Sequence, residues 1–139
     1  MDWLEVLLRL GIAAIIGAAI GLDREVHRKA AGVRTISLVS LGAAIASMSL
    51  WPGDVAAHSR VIQGIVTGIG FLGGGVIVHH RGNVDGLTTA AAIWTAAALG
   101  AAASTASWPV VLIGAILVLV LLVFGHWLEA RLEKKDPRV

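Results

Sequence analysis

Five apolar segments, each close to the length of a membrane-spanning helix, follow one another along most of the chain. A helix needs about 20 mostly apolar residues to cross the hydrocarbon core of a bilayer. The segments cover residues 3–22, 35–51, 61–79, 87–104 and 108–128, and the second and fourth are short for a span. The sequence therefore predicts an all-α, polytopic membrane protein: a bundle of about five transmembrane helices in residues 1–128, with a charged tail in 129–139.

The composition supports lipid as the solvent of this chain. Charged residues make up 14% of the sequence and hydrophobic residues 57%, whereas soluble domains are about 25% charged. The first apolar segment lacks the basic stretch that opens a signal peptide, so we expect it to remain as a transmembrane helix. The absence of cysteine excludes disulfides and thiolate metal sites.

The basic residues of the loops predict the orientation. Lys and Arg are concentrated in the loop 23–34, near Arg81 and in the tail, and with five spans these regions share one side. Arg60 stands alone among the loop cations of the other side. Because cytoplasmic loops carry the excess of Lys and Arg, the N-terminus is predicted to lie outside and the C-terminal tail in the cytoplasm. Tryptophans at predicted interfaces agree with this orientation: Trp3, Trp51, Trp108 and Trp127.

The segments also differ in side-chain size. The fifth is rich in bulky aliphatic residues and suits a lipid-facing position, whereas the fourth is made largely of alanine. Small residues let helix backbones approach closely. We therefore expect the third and fourth helices to form the packed centre of the bundle.

The third segment contains GIGFLG, which matches the spacing of a dinucleotide-binding loop. That loop requires a preceding strand and an acidic residue about 20 positions later. Here the glycines lie within a predicted span, and Asp85 comes too early. The match is interpreted as a coincidence.

Two interpretations of the glycines remain open. Glycines four residues apart lie on one helix face and favour tight helix packing, within the bundle or between protomers. Alternatively, the run at 73–75 breaks the helix and opens its backbone to an ion, as discontinuous helices do in transporters. The candidate packing glycines are Gly17, Gly21, Gly64, Gly68, Gly70, Gly73, Gly74 and Gly75.

A charged cluster is expected at the inner membrane edge. Asp23, Arg24 and Glu25 follow the first span, and Arg34 returns to the same edge before the second. The simplest interpretation is that these charges snorkel to the interface and fix the orientation. A stronger hypothesis is an ion-paired network in which Arg34 bridges to Asp23 or Glu25.

A polar face is expected within the membrane. Arg60, Gln63 and Thr67 share one face of the third helix. Trp94 lies inside the fourth span, where it needs a partner for its indole N–H or a polar cavity. This face is either an interhelical hydrogen-bond site or a functional site.

The remaining polar residues have structural interpretations. Asp85 or Thr88 is expected to cap the fourth helix, and Glu5 and Arg9 to form an i,i+4 ion pair. The histidines show no metal-ligand spacing, and no catalytic constellation is recognisable. We expect no enzymatic activity and no cofactor; whether a metal binds is left open.

Four stretches in this order resemble the MgtC/SapB family of bacterial inner-membrane proteins. They are GLDRE at 21–25, AGVRTISLVSLGAA at 31–44, RVIQGIVTGIGFLGGGVI at 60–77 and VDGLTTAAAIWTAAALG at 84–100. Family members often have Glu where Asp23 stands. The resemblance implies a multi-pass protein of the cytoplasmic membrane, with a role in adaptation to low magnesium, acid or the host. It also implies the rotary ATP synthase as a possible regulatory partner.

Two functions are therefore considered. The first is regulation through helix–helix contacts with another membrane protein such as the ATP synthase. The alternative is an oligomeric channel or transporter for magnesium or another cation. The several small-residue faces predict a homo-oligomer, and no nucleic-acid partner is expected.

Overall fold

The computed structural model describes residues 2–49, 54–80, 83–105 and 107–133. Trp51 and residues 134–139 of the predicted tail lie outside this part of the chain. These described residues form five helices, with a short hairpin between the third and fourth. The elements are α1 (Trp3–Val26), α2 (Val33–Met48), α3 (Val55–Val76), β1 (Val78–His80), β2 (Asn83–Asp85), α4 (Leu87–Thr105) and α5 (Trp108–Glu133).

The helices have the length and apolarity of membrane spans. Four of them, α1, α3, α4 and α5, are long and apolar enough to cross a bilayer, and α2 is a shorter apolar helix of 16 residues. The predicted fold class, a polytopic bundle of about five helices, is confirmed. The orientation of the termini stays a prediction.

The core of the bundle forms where α1, α2 and α4 meet. Helix α4 is the most buried element, because alanines on several of its sides let neighbouring helices approach. Ala92, Ala96 and Ala103 are each at most 2% exposed. Helix α5 lies outside this core, as expected, and among its described residues Val111 and Ala115 are the buried ones.

The expectation that α3 shares the centre with α4 is wrong. Helix α3 packs against one side of α4 and only marginally against α2. Ile69 and Gly73 are its only buried residues among those described. The large apolar side chains of Val66, Phe71 and Leu72 are exposed instead, which places α3 at the edge of the bundle.

Three glycines permit the closest helix approaches. A Cβ atom on Gly100 would lie 2.0 Å from the carbonyl oxygen of Ser40, on α2. A Cβ atom on Gly17 would lie 2.8 Å from the backbone of α2, and one on Gly21 would lie 2.6 Å from Val33. The Ser40 hydroxyl also donates a buried 2.7 Å hydrogen bond to the Ala13 carbonyl. The core is thus fixed by backbone contacts as well as by side chains.

Both ends of α3 differ from the prediction. The helix begins at Val55 because the Asp54 carboxylate accepts a 2.8 Å hydrogen bond from the Ala57 N–H and caps the first turn. It ends at Val76, and an antiparallel hairpin follows in which Val78 pairs with Asp85. The predicted span reached residue 79, so its last turn is wrong.

Gly86, the residue after β2, lies directly against the C-terminal end of α3. Its φ of +91° is rarely adopted by other residues, and a Cβ atom there would lie 2.0 Å from the Val76 carbonyl oxygen. Glycine is therefore required between β2 and the start of α4.

Candidate functional site

A buried arginine joins α1 to α4 near the end of α1. Arg24 is 1% exposed, and its Nη2 donates a 2.7 Å hydrogen bond to the hydroxyl of Thr89, which is 2% exposed. A buried guanidinium needs such partners because its desolvation is costly. The sequence indicated Arg24 but missed Thr89, which stands next to the selected Thr88.

The expected bridge from Arg34 is not made. Glu25 instead uses Oε2 to accept a 2.9 Å hydrogen bond from the Val33 N–H, and this contact fixes the start of α2. Arg34 is exposed and forms no ion pair with either carboxylate within the described residues. Asp23 turns toward two histidines, His27 and His126. The hypothesis of an Arg34 bridge is therefore wrong.

The two residues expected to cap α4 do not do so. Within the described ranges, neither the Asp85 carboxylate nor the Thr88 hydroxyl forms a hydrogen bond with the first turn of α4. That turn is held by the backbone bond from the Ala90 N–H to the Gly86 carbonyl, 2.8 Å long. Thr88 instead lines a cleft of about 70 Å³ together with Arg24, Lys29 and His126.

A second polar cluster lies at the opposite end of α1. The predicted Glu5–Arg9 ion pair is confirmed, with 3.0 Å between Arg9 Nε and Glu5 Oε1. Arg9 also donates a 3.0 Å hydrogen bond to the Ala103 carbonyl, and its guanidinium lies 4.9 Å from the ring centroid of Trp108. One arginine therefore connects the start of α1 to the end of α4 and the start of α5.

The polar residues of α3 point away from the bundle. Arg60, Gln63 and Thr67 are exposed, as are Gly70 and Gly74, which follow them at helical spacing. A Cβ atom on either glycine would meet nothing within 4 Å. We call these five residues the outer α3 face.

Trp94 does not join this face. It lies on the other side of α3, in an apolar crevice of about 380 Å³ between α3 and α4, next to Ile62 and Val66. The predicted set of Arg60, Gln63, Thr67 and Trp94 is therefore not one site.

Gly64 and Gly68 line a different surface, an apolar groove of about 370 Å³ between α2 and α3. Gly42 of α2 also lines this groove, and a Cβ atom added to any of the three glycines would meet nothing within 4 Å. We call this surface the α2/α3 groove. The two predicted glycine pairs of α3 thus occupy different faces.

The glycine run at 73–75 stays helical. Helix α3 continues to Val76, and the Ile77 N–H bonds back to the Gly74 carbonyl at 3.3 Å. A Cβ atom on Gly73 would make ordinary contact with Ala90 at 3.5 Å, while Gly74 and Gly75 face open space. The interpretation of this run as a helix break is wrong.

Comparison with known proteins identifies one family. The model of the MgtC family matches residues 10–131. Protein SrpB of Synechococcus elongatus is 41% identical over 136 residues, covering 87% of this chain and 75% of its own length. "Putative magnesium transporter YhiD" of Escherichia coli is 36% identical, covering 95% of this chain and 66% of its own length. Protein MgtC of Salmonella typhimurium is 43% identical, covering 68% of this chain and 41% of its own length.

The chain therefore spans less than two thirds of the length of the YhiD and MgtC proteins. No solved structure matches it.

Proposed function

The chain belongs to the MgtC family, and we propose that it is a magnesium-related regulatory protein of the bacterial cytoplasmic membrane. It acts by binding another membrane protein rather than by catalysis. The rotary ATP synthase is the partner that the family resemblance suggests.

The outer α3 face carries this proposal. Gln63 and Thr67 are exposed within a helix long enough to span the membrane. Polar side chains at membrane depth almost always face protein or water, because lipid offers them no hydrogen bonds. Gly70 and Gly74 continue the same face and would let a second helix approach its backbone. The combination of polar and small residues is typical of a helix–helix interface.

The experiment compares the two open faces of α3. A double variant, Gly70→Leu with Gly74→Leu, places bulk on the outer α3 face. The matched control, Gly64→Leu with Gly68→Leu, places the same bulk in the α2/α3 groove. Each protein is purified from native membranes, and co-purifying synthase subunits are measured together with ATP hydrolysis by inverted membrane vesicles. We expect the wild type and the control to retain the partner and the inhibition, and the outer-face variant to lose both.

Three outcomes oppose the proposal. If both double variants retain the partner, the outer α3 face is not the contact. If no membrane protein co-purifies with the wild type, the regulatory function fails. If only a homo-oligomer forms, and the outer-face variant dissociates it, the face serves self-association.

The alternative is an oligomeric cation transporter. The name of the YhiD relative favours it, and outer α3 faces from several copies would bring Gln63 and Thr67 together. Proteoliposomes loaded with a magnesium indicator test it, with Gln63→Leu as the variant. Mg²⁺ entry that depends on Gln63 would favour transport over regulation. Absence of flux for magnesium, protons and monovalent cations would oppose it.

The proposed orientation has its own test. With the N-terminus outside and the C-terminus in the cytoplasm, green fluorescent protein fused to the C-terminus should fluoresce and alkaline phosphatase fused there should be inactive. The reverse pattern would contradict the assignment.

A further inference from the structure

Three potential metal ligands from two helices converge at one end of the bundle. Asp23 lies near the end of α1, His27 follows that helix, and His126 comes from α5. Their ligand-capable atoms all lie within 4.8 Å of one another. The Nδ1 atoms of His27 and His126 are 3.6 Å and 3.7 Å from Asp23 Oδ1, and the two rings are stacked with centroids 3.7 Å apart.

Two ligand-capable atoms of these side chains are buried and lack a hydrogen-bond partner among the described residues. The Asp23 side chain is 8% exposed, and its Oδ2 accepts no hydrogen bond within the described part of the chain. The same is true of Nδ1 of His126, whose side chain is 17% exposed. Unsatisfied buried polar atoms are rare, and a role in binding an ion is one of the few explanations for them. Here a carboxylate oxygen and an imidazole nitrogen are left open at the same place.

The surroundings contain both favourable and unfavourable charge. The cluster lies at the C-terminus of α1, where the helix dipole favours a cation. Arg24 and Lys29 line the adjoining cleft and oppose a second cation. The Arg24 guanidinium is directed toward Thr89, at 2.7 Å. A metal ion would therefore have to bind through direct coordination rather than through a negative field.

We propose that Asp23, His27 and His126 bind one divalent transition-metal ion of the zinc type, linking α1 to α5. Imidazole nitrogens suit Zn²⁺ and its neighbours, whereas Mg²⁺ prefers oxygen ligands. Bonds of about 2.1 Å around a tetrahedral ion bring the ligands to about 3.4 Å from one another, so rotation of the side chains closes the present cluster. Water completes the coordination. This site is independent of the proposed regulatory function.

Closure requires two local changes. The stacked rings of His27 and His126, whose planes differ by 6°, must tilt away from parallel, because a metal ion lies in the plane of each imidazole that binds it. Nδ1 of His27 lies 2.6 Å from the backbone carbonyl of Asp23 and donates to it in the tautomer protonated at that atom. Coordination through Nδ1 therefore breaks this hydrogen bond and requires the neutral tautomer that carries its proton on Nε2.

The test uses the tag-free, full-length chain in detergent micelles, with Zn²⁺ in competition with a chromophoric chelator. We expect one Zn²⁺ per chain and no displacement by millimolar Mg²⁺. Asp23→Asn and His126→Ala should each weaken binding by about 10- to 100-fold or more, the range already seen when a supporting residue is lost. The matched control, His58→Ala on α3, should bind as the wild type does.

Spectroscopy on the wild type keeps the test valid if a variant does not fold. Co²⁺ in the site should give the intense visible absorption of a four-coordinate ion, and pulsed electron paramagnetic resonance of the Cu²⁺ form should detect two imidazoles. Zn²⁺ binding no stronger than that of detergent micelles without protein would overturn the proposal. So would equal loss of binding in His58→Ala, competition by Mg²⁺, or a Cu²⁺ spectrum without two imidazoles.

Discussion

The glycines of the core and the glycines of α3 have the same spacing but opposite surroundings. Gly17 and Gly21 stand four residues apart on α1, and a Cβ atom on either would collide with the backbone of α2 or the segment before it. Gly64 and Gly68 have the same spacing on α3, yet both face open space. The spacing thus predicts a face that a backbone can approach, while the remainder of the sequence decides whether the chain itself covers that face.

The largest expected effect comes from closing the tightest core contact. Gly100→Ala would force Ser40 and its helix away, because the new Cβ atom would start 2.0 Å from a backbone oxygen. Overpacking destabilises by about 1–3 kcal/mol, occasionally more, and we expect the upper end here, of which the helix propensity gained from Gly to Ala, about 1 kcal/mol, offsets only a part. The midpoint of detergent- or heat-induced unfolding in micelles should fall accordingly. An unchanged midpoint would contradict the close approach of α2 and α4.

A smaller loss is expected at Gly17. Its Cβ atom would lie 2.8 Å from Ile36 O and Ser37 Cα, so a smaller shift of α2 relieves the collision. The alanine also favours the helix by about 1 kcal/mol, leaving a net loss of about 1 kcal/mol from the overpacking range. The control is Gly11→Ala on the same helix, where nothing lies within 4 Å. Equal unfolding midpoints for the two variants would show that the collision expected between Gly17→Ala and α2 does not occur.

Substitution of Ser40 tests the hydrogen bond that joins α2 to α1. Ser40→Ala removes the buried hydrogen bond to the Ala13 carbonyl, and such bonds in membranes contribute about 0.6 kcal/mol on average. Ser49→Ala removes only an exposed bond within its own turn, to Ile45, and should leave stability unchanged. The measurement is the unfolding midpoint of both variants under the same conditions. Equal midpoints would contradict the hydrogen bond between α1 and α2.

The change expected on α3 has the opposite sign, a gain of stability rather than a loss. Gly68→Ala meets no neighbour and should stabilise the monomer by up to about 1 kcal/mol through helix propensity. The measurement is the unfolding midpoint at low protein concentration. A clear loss of stability would mean that a second protomer already fills the α2/α3 groove, and repetition at several protein concentrations would reveal it.

Features set by local sequence could be predicted, and features set by folding across the chain could not. The five helices follow from the length of their apolar segments, and the Glu5–Arg9 pair follows from their separation along one helix. The hairpin was missed because each strand is only three residues long, although only two residues separate the strands.

The polar clusters show the same limit. Arg24 was selected, but its partner Thr89 comes from α4 and could not be identified from spacing. The proximity of His27 and His126 could not be predicted, because the sequence does not show that the end of α1 and helix α5 bring these two rings side by side. The prediction for α3 is wrong because glycine spacing indicates a face that another helix can approach, without showing that this chain supplies that helix.

The contact between Arg24 and Thr89 has a consequence for how the protein is made. Its two partners are separated by 65 positions in the chain, and α2 and α3 are synthesised between them. The hydrogen bond between them therefore cannot form until α4 has been synthesised, and a chain that ended before α4 would lack this link between the first and fourth helices.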